Sequence, residues 1–216
     1  MKLRSTLVFG ILFALTLNFS LMALASGPTP IQLPNPQKEG GKSLMTALND
    51  RMTARAFSGE KLPAQTLSNL LWAAFGINRP DGRRTAPSAK NWQEMDIYVA
   101  TPDGLFLWDA TKNLLNPILD KDVRGLTGNQ PFVKDASVNL VYVADYSKVT
   151  GDRTDNDILV AADAGFIGEN VYLYCASEGL ATVFRANVDK DTLAKEMKLK
   201  PEQRVMFAQS VGYPKK

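Results

Sequence analysis

No histidine occurs anywhere in the 216 residues, and Cys175 is the single cysteine. The first absence removes Ser-His-Asp and Cys-His nucleophilic chemistry, histidine-ligated metal sites and histidine proton shuttles. The second removes any intramolecular disulfide and any cysteine-based metal cluster. Cys175 falls inside an apolar stretch, where a lone cysteine reads as a small buried hydrophobe. Charge of one sign is also scarce: the net charge is +3, and the basic residues are scattered rather than interleaved with aromatics, so no nucleic-acid footprint is present. An enzyme with this inventory and no cofactor has few side chains to work with.

What is present has an ordinary globular balance, 45% hydrophobic and 22% charged, and the length suits one domain. Residues 1 to 25 read as a secretory signal. Lys2 and Arg4 supply the positive start, Leu7 to Leu17 the apolar core, and Ala23-Leu24-Ala25 a small-x-small cleavage site. The chain is therefore expected to be exported, to the periplasm or outside the cell. The alternative is an uncleaved membrane anchor, since the apolar run continues to Leu24. Residues 26 to 41 are rich in proline and glycine and read as a linker or arm, leaving 42 to 216 as the folded domain.

Within that domain the stretch from Asp157 to Thr182 is long, apolar and dense in small residues. Ile158, Leu159, Ala162, Phe166, Val171, Tyr174 and Cys175 recur at helical spacing, which predicts a core helix buried on several sides. Glu178-Gly179 ends it, because glycine accepts the left-handed conformation that closes a helix, and Thr182-Val183 restarts the chain as a strand. The plain reading is a packing helix with an ordinary cap. The other is a helix that delivers a glycine turn to a sheet edge.

Arg51 and Arg55 are four apart, which places both guanidinium groups on one face of a helix or turn, either to grip a phosphate or as a solvated basic face. Leu62 to Phe75 predicts an amphipathic helix, and Gly76 to Asn91 a long loop carrying Arg79, Arg83, Arg84 and Lys90. Ile97–Thr101 and Leu105–Trp108 read as a hairpin about Pro102-Asp103-Gly104, Leu114 to Leu126 as a helix, and Val138–Tyr146 as a strand buried on both faces. Thr182–Ala186 and Arg204–Gly212 complete the strands, with a helix over Lys190–Met197 between them. Helices and antiparallel hairpins in mixed order indicate an α+β fold.

Five segments in order, Arg51-Met52-Thr53-Ala54-Arg55-Ala56-Phe57, Pro87-Ser88-Ala89-Lys90-Asn91-Trp92-Gln93, Asn129 before Asp135-Ala136-Ser137, Glu178-Gly179-Leu180-Ala181-Thr182 and Gly212-Tyr213-Pro214, resemble the nitroreductase family of FMN-dependent oxidoreductases. The run from Leu70 to Ala89 is similar to the subgroup that includes thiazoline and oxazoline dehydrogenases. The resemblance implies a homodimeric α+β sandwich, with a mostly antiparallel sheet, helices around a long central helix, and FMN in each of two interfacial clefts. It implies that Arg51, Met52, Thr53 and Arg55 hold the FMN phosphate and ribityl chain. Pro87, Ser88 and Asn91 then reach the flavin from the partner subunit, and Asn129 meets the polar edge of its ring. Backbone N–H groups around Glu178, Gly179 and Leu180 face the ring, and Lys215 and Lys216 take the place of the basic tail that family members carry after Gly-Tyr-Pro.

Two departures stand out. Glu94-Met95 occupies the place of the family's Pro-Trp, and the Lys-Tyr pair of azoline oxidases has no counterpart. The implied activity is transfer of hydride from NAD(P)H or another donor, through FMN, to a small organic acceptor. The lack of histidine fits, since the cofactor carries the redox step. The alternative is a non-catalytic exported binding protein on the same fold.

Overall fold

The computed structural model describes residues 29–216, so the expected signal segment lies outside the described residues. In chain order the elements are β1 (Ile31–Gln32), α1 (Leu44–Asp50), α2 (Ala64–Phe75), β2 (Met95–Thr101), β3 (Gly104–Asp109), β4 (Leu114–Leu119), β5 (Val138–Asp145), α3 (Arg153–Glu178), β6 (Ala181–Arg185), α4 (Lys190–Glu196) and β7 (Gln203–Gly212). The strands form one antiparallel sheet in the order β1-β4-β3-β2-β5-β7-β6. This is the α+β sandwich that the sequence predicts.

Alternation along the central strand builds the two layers. Val138, Leu140, Tyr142 and Ala144 of β5 face α2 and α3, packing with Leu70, Leu71, Ala74, Val160, Ala164, Ile167 and Val171. Val141 and Val143 face the other way, onto Leu193 of α4 and the following Met197. β5 is thus buried on both sides, as its continuous apolar run requires. On α3, Gly168 sits where a Cβ would come within 2.5 Å of the Phe184 ring, so β6 approaches the helix only because that side chain is missing.

The structure corrects three expectations. Leu114 to Leu126 is not a helix: Leu114–Leu119 is β4, and only Arg124–Leu126 makes a 3-10 turn. Pro117 decides it, since a mid-helix proline loses its hydrogen bond and clashes with the preceding turn. In β4 it is accommodated opposite Phe106, beside a register irregularity. The helix or turn expected to carry Arg51 and Arg55 on one face also fails to form, because α1 stops at Asp50, Arg51 is already extended (φ −59°, ψ 122°) and no turn follows before Phe57. Extended backbone separates residues four apart by ~13 Å instead of one helical turn. Finally, α3 starts at Arg153 and is not buried on several sides, because Ile158 (75% exposed), Phe166 (48%) and Leu159 stand free along it.

Part of the proline-rich segment joins the sheet. β1 pairs with Leu114 and Leu115, and Leu33 is buried. Pro34 O accepts from Ser68 Oγ (2.5 Å) and Asn113 Nδ2 (2.7 Å), which straps the arm across α2.

Candidate functional site

The C-terminal end of α3 is closed by glycine. Leu180 N–H donates back to Cys175 O (2.8 Å) around Gly179, whose φ is +70°. A Cβ at Gly179 would meet nothing within 4 Å, so the turn faces open space. The N–H of Leu180 is spent on this cap and its side chain packs on the core, while Glu178 is exposed and accepts from Ser177 Oγ.

The segment after α1 is drawn onto this turn by four backbone contacts. Ala54 N donates to Thr182 O (3.0 Å) on one flank; Ser58 N donates to Tyr213 O (3.0 Å), and Lys215 N to Ala56 O (3.2 Å), on the other. Phe57 bridges Pro214. Three remote pieces of sequence, around Arg51, Gly179 and Lys215, therefore meet at one end of β6. Thr53 Oγ1 lies 3.0 Å from the Tyr172 hydroxyl, and the Arg51 guanidinium lies 5.5 Å from the centre of the Tyr172 ring. Met52 and Arg55 project outward. A cavity of about 800 Å³ opens here, walled by Phe57, Gly59, Asp135, Gly179, Lys215 and Lys216 among others. Among the described residues, Arg51, Arg55, Lys215 and Lys216 form no ion pair, so four cations are left to meet an anion.

Pro87, Ser88 and Asn91 lie elsewhere. Their loop packs on the first half of α3, where Ala89 N donates to Asp163 Oδ2 (2.7 Å). Asp163 and Glu178 are fifteen residues apart along one helix, or ~22 Å at 1.5 Å per residue. One chain therefore does not bring Ser88 and Gly179 together.

Beneath this loop lie two acids: Glu94, which the sequence marks only as a departure from the family pattern, and Asp163, which it does not mark. Glu94 is fully buried and Asp163 is 3% exposed. Burial raises the Glu94 carboxyl to about 7; its own backbone N–H pulls it down, and the neighbouring Asp163 carboxylate pushes it up again. Burial raises Asp163 as well. The available signal was register: Asp163 shares the buried stripe of α3 with Val160 and Ile167.

Asn129 stands at the opposite end of β6 from Gly179, donating Nδ2 to Asn187 Oδ1 (3.0 Å). Its loop rests on another residue the sequence did not mark, the buried Arg185. Nη1 of Arg185 donates to Thr127 O (2.7 Å), and Nη2 to Asn139 Oδ1 (3.1 Å) and Ser210 Oγ (3.0 Å). Nε is buried without an acceptor, and burial lowers the guanidinium to about 10. A Cβ on Gly128 would fall 1.9 Å from Nη1, so only glycine fits against it. Cys175 is fully buried, and burial pushes its thiol well above the usual range, which leaves it unreactive.

The family model for the nitroreductase family matches residues 48–213. The chain belongs to the nitroreductase family. Relatives agree with that membership. This nitroreductase-family chain is 30% identical over 166 residues to a provisionally named nitroreductase of Methanocaldococcus jannaschii, covering 71% of this chain and 81% of the relative. It is similar to the crystal structure of a provisionally named nitroreductase from Ralstonia eutropha JMP134, with 38% identity, a TM-score of 0.82, and coverage of 87% of this chain and 90% of that one. An NADPH:FMN oxidoreductase from Vibrio harveyi, solved with NAD+, shares the fold at 20% identity and a TM-score of 0.61, over 80% of this chain and 69% of that one. The nitroreductase fold is thus shown, and membership supports an oxidoreductase.

Proposed function

We propose that this protein is an exported FMN-dependent oxidoreductase, acting as a homodimer, that takes hydride from NAD(P)H or another donor and reduces a small organic acceptor in a ping-pong scheme. The observation that carries the reading is that the segment bearing Arg51, Thr53 and Arg55 is drawn onto the Gly179 turn and the C-terminal residues, beside a cavity that Gly179, Lys215 and Lys216 line. The residues fit the cofactor. Four cations without carboxylate partners suit a phosphate, and the open space beside Gly179 accepts a flat ring. The Vibrio harveyi relative, named for NADPH and FMN, supports the same choice of cofactor and donor.

In this reading Arg51, Arg55, Lys215 and Lys216 neutralise the phosphate, and Thr53, held to Tyr172, lines the ribityl path. Gly179 supports the ring, which when bound supplies the hydride-accepting and hydride-donating chemistry that the side chains lack. Asn129, at the far end of β6 from Gly179, is not brought to the ring by this chain. Pro87, Ser88 and Asn91 come from the partner subunit, a reading supported by the packing of their loop at Asp163, ~22 Å along α3 from Glu178 within one chain. The exposed apolar residues of α1 and α3, Leu44, Met45, Leu48, Ile158 and Phe166, support a second copy covering that face. The charged start, apolar core and cleavage site of residues 1 to 25 support export.

An absorption spectrum of the purified protein with added FMN, then with NAD(P)H under anaerobic conditions, tests the reading. A flavin spectrum that shifts on binding and bleaches with donor is expected, and the Arg51→Ala, Arg55→Ala double variant should lose at least tenfold in FMN affinity, each lost charge-assisted contact contributing roughly 1.5–3 kcal/mol. Absence of flavin binding in the parent leaves the fold intact and turns the reading towards a non-catalytic binding protein.

A further inference from the structure

The loop from Ser88 to Gln93 holds three non-glycine residues in the left-handed region: Lys90 (φ 50°), Asn91 (φ 58°) and Gln93 (φ 48°). Such a loop persists only where its surroundings fix it. What fixes it is a small polar cluster built on the two buried acids. Ser88 Oγ donates to Glu94 Oε2 (3.2 Å) and accepts from Gln93 N (2.8 Å), while Ala89 N donates to Asp163 Oδ2 (2.7 Å). The two carboxyl groups hold adjacent residues of the loop, Ser88 and Ala89, and Glu94 Oε1 is buried with no hydrogen-bond partner. Two carboxylates are acceptors only, so a proton held on one of them supplies the missing donor and removes the repulsion.

We propose that Glu94 and Asp163 are positioning residues: they share one proton, and through Ser88 and Ala89 that shared proton fixes the loop presenting Ser88 and Asn91 to the flavin. The proposal rests on the FMN reading for its last step; the shared proton itself does not. Neighbouring charges are engaged elsewhere. From the preceding loop, Arg84 donates to Gln93 Oε1 and Phe75 O. From β5, Asp145 accepts from Ser147; on β2, Asp96 pairs with Lys148; on α3, Asp157 pairs with Arg204. Among the described residues no lysine or arginine forms an ion pair with either member of the pair.

The direction of the pH effect follows. A carboxyl whose folded value lies above its unfolded value binds its proton more tightly when folded, so stability is fully present at the acid end. It falls as pH rises from the ordinary carboxyl range towards about 7. This is opposite to an ion-paired carboxylate. FMN affinity should weaken roughly tenfold between pH 6.5 and 8, as the proton-bearing form becomes the minority. Titration of the phosphate of FMN, near pH 6, works the other way and is common to all variants.

The test measures FMN affinity by fluorescence quenching, and melting temperature without FMN, across this pH range for the parent, Glu94→Gln and Asp163→Asn. The amide that replaces the carboxyl in Glu94→Gln carries an N–H donor that does not titrate. This variant should therefore bind FMN at pH 6.5 like the parent and lose the fall above it. A Glu94→Gln variant that keeps the parent's pH dependence, or a parent flat in both measurements, overturns the proposal. If no variant binds FMN at any pH, the cofactor reading fails. The melting profiles then decide alone: a fall with pH in the parent and none in Glu94→Gln sustains the shared proton, and parallel profiles overturn it.

Discussion

Arg185 shows what a buried cation without a carboxylate does to its surroundings. Its fork ties Thr127, Asn139 and Ser210, from one loop and two strands, into a single polar knot beneath Asn129. Arg185→Lys keeps the charge but cannot reach all three acceptors, so it should cost about 1–3 kcal/mol, read as a lower urea midpoint at unchanged slope. Nothing in the sequence marks Arg185, because its acceptors come from positions 46 to 58 residues away and from Ser210 downstream. Glu94 was half legible. Its departure from the family pattern was visible at once, whereas its partner Asp163 needed the register of a helix far along the chain. By contrast, Gly179 could be read directly, since only a short-range event, helix closure, was at stake.

At the scale of elements, legibility followed period and locality. β5 and α2 declared themselves by continuous or helical apolar spacing, and the structure has both where the pattern puts them. β4 did not, because a leucine-rich run with a proline is settled by its partner strand β3 rather than by its own composition. The contact of α3 with β6 depends on a missing side chain. Gly168→Val places two methyl groups where the Phe184 ring stands, 2.5 Å from the first added carbon. It should destabilise by roughly 1–3 kcal/mol or more by overpacking, detectable as a drop in melting temperature.

For the whole molecule, the two halves of the candidate site lie at separate positions along α3, and Ile158, Leu159 and Phe166 stand exposed along its first half. If the proposed homodimer forms through this face, a paired Ile158→Glu, Phe166→Glu variant should sediment as a monomer where the parent sediments as a dimer, and lose flavin affinity in step. A parent that sediments as a monomer, or a variant that stays dimeric with full affinity, would overturn the assignment of this face to a second copy. Sequence order alone could indicate that five motifs belong together, but not that they fall into separate places, since that depends on where the chain folds back. The sheet has a consequence of its own. On β6 the outer edge is engaged by Ala54, and on β4 the part beyond β1 carries Pro117, which has no N–H to offer. Neither border is a template for adding strands from another molecule, so crowding this protein should not seed cross-β fibres through its sheet, and self-association is left to the helices.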